Sequence, residues 1–174
     1  MRSVNTFFGF LFLAAFAMPA LPSAVLQQHS YTSPKLDFAV DFPSPTWRLV
    51  DEPDEVHQHT EFVYGDRNEG YLRIRKEALE QGLTIKEFAH RDQDQRTRFL
   101  PGYVDGKEET FTGKLNGLTL SYEFTERGKQ MGGRTYYLQG DANTVYVLRF
   151  TGLRDKLSRI RNQTDFISRS LRLK

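Results

Sequence analysis

Between Leu118 and Leu171 the hydrophobic spacing changes once, from strict alternation to steps of four and three, and this change constrains the fold more than any other feature of the chain. Leu118, Leu120, Tyr122 and Phe124 share one parity, while Thr119, Ser121, Glu123 and Thr125 share the other. Successive strand side chains point to opposite faces, so the segment reads as a half-buried strand. A turn over Glu126 to Gln130, a second strand over Arg134 to Gln139, a reversal at Gly140 to Asn143 and a return over Thr144 to Thr151 complete an antiparallel meander. In the last strand Val145 and Val147 oppose Tyr146, Leu148 and Phe150. Apolar residues on both parities predict a central strand covered on both faces. From Leu153 the pattern becomes Leu153, Leu157, Ile160, Thr164, Ile167 and Leu171, with Thr164 its one polar member. That is one stripe of an amphipathic helix, expected to bury against the meander.

Upstream, Leu36, Phe38, Val40 and Phe42 alternate with Asp37, Ala39 and Asp41 as a strand that Pro43 and Pro45 end, and Trp47 to Val50 resumes in extended form with Trp47 in the core. Glu61 to Tyr64 and Tyr71 to Lys76 read as strands joined across Gly65 to Gly70. Thr84 with Glu87 three residues on has the capping-box pattern of a helix start. Ile85, Phe88, Ala89, Phe99 and Leu100 are its expected buried face, Arg91 to Arg98 its expected solvated middle, and Pro101 and Gly102 its stop. A strand over Lys107 to Thr112 then leads, through a type I′ signal at Asn116 and Gly117, into the meander. Strands, helix, strands, helix predict an α+β single domain, an antiparallel sheet with helices packed on it.

Residues 1–24 carry one charge, Arg2, an apolar run from Phe7 to Ala17, and then Pro19 and Pro22. The run is shorter than the roughly 20 residues that span a bilayer, and the segment reads as a signal peptide. Residues 25–34 read as a tether and 35–174 as the domain. Without the leader the net charge is +1, which implies no general attraction to nucleic acid or anionic lipid. The chain has no cysteine, so disulfides, thiol catalysis and a lipid-modified cysteine anchor are excluded. A secreted or periplasmic protein with no membrane span after signal cleavage is the expectation.

Charge is unevenly placed. Residues 25–70 hold nine acids and three bases, residues 153–174 seven bases and two acids. The basic helix either complements acids of its own fold or forms a docking face for an acidic protein partner, with Arg154, Arg161 and Arg169 as its candidate residues. His57, His59 and Glu61 share one parity if extended, and two imidazoles with a carboxylate suit a zinc site and a small metal-dependent hydrolase. The competing reading is a solvated loop. Asp51, Glu52, Asp54 and Glu55 match no EF-hand spacing and read as a charged turn. His90, Asp92 and Asp94 read as an exposed helix face rather than a general-base group. No Gly-x-Ser-x-Gly elbow surrounds any serine. Gly128, Gly132 and Gly133 bracket a basic hairpin tip and lack the strand-to-helix setting of a phosphate loop.

The run Phe38-Ala39-Val40-Asp41-Phe42-Pro43 followed by Trp47, the segment Gly117 to Phe124, and the ending Asp165-Phe166-Ile167-Ser168-Arg169-Ser170-Leu171 resemble the PsbP-like family, with its Mog-type and DcrB-type relatives. The resemblance spans nearly all of residues 35–174 and implies an α/β/α sandwich. In photosynthetic organisms such proteins are extrinsic subunits of photosystem II that support calcium and chloride retention; relatives elsewhere are exported. The resemblance implies an accessory or binding protein with a protein partner and no catalytic residue or cofactor. Photosystem II association is one form that role takes, and no functional residue of the family matches a position here.

Overall fold

The computed structural model describes residues 29–174, and the expected signal peptide lies outside them. The elements are β1 (His29–Thr32), β2 (Phe38–Phe42), β3 (Trp47–Asp51), β4 (His59–Tyr64), β5 (Gly70–Ala78), α1 (Ile85–Arg96), β6 (Val104–Phe111), β7 (Gly117–Glu126), β8 (Lys129–Asp141), β9 (Thr144–Leu153), α2 (Arg154–Arg159), α3 (Arg161–Ser170) and β10 (Arg172–Leu173). Seven strands form one antiparallel sheet in the order β3-β4-β5-β9-β8-β7-β6. The central place of β9 and the β7-β8-β9 meander agree with the alternation that predicts them.

Each parity of β9 enters a different core. Tyr146, Leu148 and Phe150 pack with Phe62, Leu72, Ile74, Leu157 and Ile167 on the side of α2 and α3. Val145 and Val147 pack with Leu118, Leu120, Tyr137, Phe88 and Ala89 under α1. The result is a single α/β/α layered domain. Thr84 accepts from the Glu87 amide and Glu87 from the Thr84 amide, so the predicted capping box forms.

Several expectations change. The strand built from Phe38 to Phe42 does not join the large sheet; it pairs with β1 and β10 in a separate three-stranded antiparallel sheet. Part of the expected tether is thereby strand, with Tyr31 opposite Val40. The final helix is broken at Ile160, where φ is −98° and ψ 14°, into α2 and α3. Its stripe still points inward: Leu157, Ile160, Thr164, Ile167 and Leu171 are all buried. Helix α1 stops at Arg96 with Thr97 as its C-cap, so Phe99 lies past its end and is 70% exposed.

The type I′ geometry sits elsewhere too. Asn116 ends a longer loop, and the left-handed pair is Arg127 (φ 49°) and Gly128 (φ 75°), joining β7 to β8. Gly132 and Gly133 therefore lie inside β8, not at a hairpin tip.

Candidate functional site

The sequence-selected histidines do not converge. The His57 amide donates to Asp54 Oδ1 at 2.6 Å in the loop before β4, and only His59 reaches Glu61, at 2.9 Å. Glu61 is buried and already bonded by Arg73 at 2.9 Å and Arg67 at 3.3 Å. Burial pushes its carboxyl up, but bonds from Tyr71 and Arg73 outweigh this and hold it below the ordinary value. Among the described residues no group of three His, Asp or Glu side chains is arranged to hold a metal ion. The three candidates His57, His59 and Glu61 are therefore not brought together as a ligand set, and the guanidinium groups of Arg67 and Arg73 hold the Glu61 carboxylate.

In the acidic loop, Glu52 accepts from the Tyr31 hydroxyl, while Asp54 accepts from the Val56 amide at 2.8 Å. On α1, His90 meets Glu108 at 3.0 Å and Asp94 meets Arg98 at 2.9 Å, both at the surface. Asp92 does not share that exposure. It is 6% exposed and is bonded by Arg75 at 3.0 Å, Arg149 at 2.8 Å, Arg96 at 3.0 Å and Tyr137 Oη at 2.9 Å. Burial raises the Asp92 carboxyl and the Arg75 and Arg149 charges lower it by more, so it stays ionised below the usual range.

The basic carboxy-terminal helices lie on the other side. Arg154 and Arg161 border a groove of about 490 Å³ between α2–α3 and strands β6 to β8, over Gly132, Gly133 and Leu157. Gly132 keeps the floor low: a Cβ there would lie 3.4 Å from the Leu157 side chain and from the Arg154 backbone. Each arginine is held by the fold. Arg154 meets Glu123 at 3.2 Å and Arg161 meets Glu109 at 3.2 Å, while Arg134, deeper in the groove, meets Glu109 at 3.3 Å and Asp165 at 3.2 Å. Arg169 sits outside the groove, donating to the Thr112 carbonyl with its guanidinium 5.1 Å from the Phe111 ring centre. The acids that complement this basic segment come both from residues 25–70, with Glu69 on Lys156 and Asp41 on Arg172, and from β6 and β7, with Glu109 on Arg161 and Glu123 on Arg154.

No family model matches the chain, and no curated protein matches it. Solved structures do. Mog1p, a Ran-binding protein of Saccharomyces cerevisiae, superposes with a TM-score of 0.61 at 8% identity over 86% of this chain and 96% of that one. The PsbP protein CyanoP of Synechocystis gives 0.57 at 11% over 90% and 98%. LpqN of Mycobacterium tuberculosis, described as involved in cell envelope biogenesis, gives 0.58 at 15% over 85% and 92%. The chain also matches 48% of the length of a longer Bacteroides thetaiotaomicron protein, at 0.58 and 14%. At such identities the likeness establishes the fold: this is a PsbP/Mog-type α/β/α sandwich.

Proposed function

We propose that this chain is an exported, non-catalytic accessory module that docks an acidic segment of a protein partner on the groove between α2–α3 and β6 to β8. The observation that carries this reading is the state of its edge cations. Arg154 and Arg161 have side chains 58% and 50% exposed, and their carboxylate partners are themselves exposed at 45% and 38%. Exposed pairs of this kind contribute about 0 to 1 kcal/mol, so a partner's carboxylate displaces the internal one at little cost. The groove supplies shape and Arg134 a third cation within it. Support also comes from the company the fold keeps, since one neighbour is named for binding Ran and another for a role at the cell envelope.

The test is the triple variant Arg154→Glu, Arg161→Glu, Arg169→Glu. It is expected to keep the far-ultraviolet circular dichroism of the parent and to lose the partner recovered by crosslinking from the native source. Equal recovery would remove this face from consideration. Export is tested separately by sequencing the amino terminus of the native protein, expected to begin near Val25; a cytoplasmic chain beginning at Met1 would overturn that part.

A further inference from the structure

The face of the large sheet opposite this groove is only partly covered, because α1 lies over β7 and β8 and ends at Arg96. Beyond its end is a pocket of about 380 Å³ whose wall includes Arg67, Arg73, Arg96 and Arg149, while Leu100, Phe124 and Met131 line its apolar side. We infer that this pocket is a binding site for a small organic anion, the arginines meeting its phosphate or carboxylate group and the apolar side its organic body.

The arginines are held in place before any ligand arrives. Glu61 ties Arg67 and Arg73, and Asp92 ties Arg96 and Arg149. The Tyr71 ring lies between two guanidinium groups, 4.7 Å from that of Arg67 and 5.7 Å from that of Arg73. Groups positioned in this way lose little side-chain freedom on binding. Counting Arg75, which shares Asp92, five guanidiniums face three carboxylates, Glu61, Glu77 and Asp92, with Glu126 at the pocket wall. The site keeps a positive excess that four of these side chains present to the cavity.

A second, independent observation marks the same place. Tyr122 is 3% exposed with its hydroxyl beside that of Thr135, and Arg149 Nε is buried without a hydrogen-bond partner. Tyr122 and Arg149 both line the pocket. Buried polar atoms are nearly always paired, and an unpaired one costs about 1 to 3 kcal/mol. An anionic oxygen at the pocket wall formed by Tyr122 and Arg149 supplies an acceptor for the Arg149 guanidinium. Neither the apolar side nor the cations alone would select such a ligand; their adjacency favours an anion with an attached ring or chain over a bare inorganic ion.

Isothermal titration calorimetry with phenyl phosphate, benzoate and benzyl alcohol tests the inference. At least one of the two anions is expected to bind saturably at millimolar concentration and the uncharged alcohol not to bind; the tighter anion identifies the head group. Arg67 and Arg96, whose side chains are 63% and 50% exposed, are the cations to remove without opening the core. Arg67→Gln with Arg96→Gln is expected to weaken binding by about tenfold or more, the loss of charge-assisted hydrogen bonds, and Lys35→Gln, an exposed cation that borders neither this pocket nor the groove, to leave it unchanged. In the unsubstituted protein, amide resonances of Arg149 and Tyr122 should shift with the same saturation curve. No saturable binding of either anion, equal binding of the alcohol, unaltered affinity in the double variant, or unmoved Arg149 and Tyr122 resonances would each overturn the site.

Discussion

Asp92 on α1 lies 2.8 Å from Arg149 Nη2 on the central strand, and this buried ion pair joins the helix to the sheet beside the apolar contacts of Phe88 and Ala89. Arg75, Arg96 and Tyr137 converge on the same carboxylate. Removing it leaves Arg75 and Arg149 close together without their counter-charge. Asp92→Ala is therefore expected to cost about 3 to 5 kcal/mol, the range for breaking one side of a buried pair. Asp94→Ala, two residues further along α1 and exposed, should change stability by no more than about 0.5 kcal/mol. Urea unfolding of the two variants measures the contrast, and equal losses would contradict it.

Acid should act through the same group. The carboxyls of Asp92 and Glu61 are both held below their ordinary values in the fold. A group whose folded pKa is lowered contributes stability that is fully present above its unfolded pKa, about 4 for these side chains, and lost as pH falls through the folded one. The unfolding free energy is expected to fall steeply below about pH 4. In Asp92→Ala the remaining acid slope should be shallower, since one of the two groups no longer titrates. A slope identical to the parent's would assign the acid sensitivity to other carboxylates.

How far the sequence carries can be read from these residues. The meander was legible because alternation reports burial directly, and the stripe from Leu157 to Leu171 for the same reason. The break at Ile160 was not, because steps of four and three look alike in one helix or in two that share a face. Asp92 was hidden within the polar run Arg91 to Arg98, its partners lying on strands far away in the chain. One signal existed: Arg149 shares the parity of Val145 and Val147, so a charge was due inside that face and needed a partner. The basic helix was visible by composition, whereas its groove depends on Glu109 and Glu123, which only the folded sheet brings near. His57 precedes the strand that holds His59 and Glu61, so shared parity did not apply to it.

Burial separates residues that look equivalent as apolar side chains. Ile167 is fully buried on α3 and Phe99 is 70% exposed past the end of α1. Ile167→Ala removes three carbons from a packed core, with an expected loss of about 2 to 5 kcal/mol. Phe99→Ser removes contact with water, and its expected effect is within about 0.5 kcal/mol. Denaturant midpoints of the two variants give the comparison, and a large loss at Phe99 would return that residue to the core.

Two glycines distinguish crowding from backbone strain. A Cβ on Gly133 would lie 2.1 Å from Cζ of Tyr122, whose ring is buried and stacked 5.7 Å from that of Tyr103. The ring stands where the new methyl group would sit, so Gly133→Ala must shift it, at a cost of about 1 to 3 kcal/mol. Gly82 has φ +84° and nothing within 4 Å of where a Cβ would stand. There an alanine meets only the left-handed backbone penalty, about 1 to 2 kcal/mol. The two losses overlap in size, but only Gly133→Ala displaces a ring that borders the anion pocket. Gly133→Ala is expected to change the ultraviolet dichroism of the tyrosines and weaken phenyl phosphate binding, and Gly82→Ala to do neither. If both variants leave the aromatic dichroism unchanged, Tyr122 is not held against Gly133 as the geometry requires.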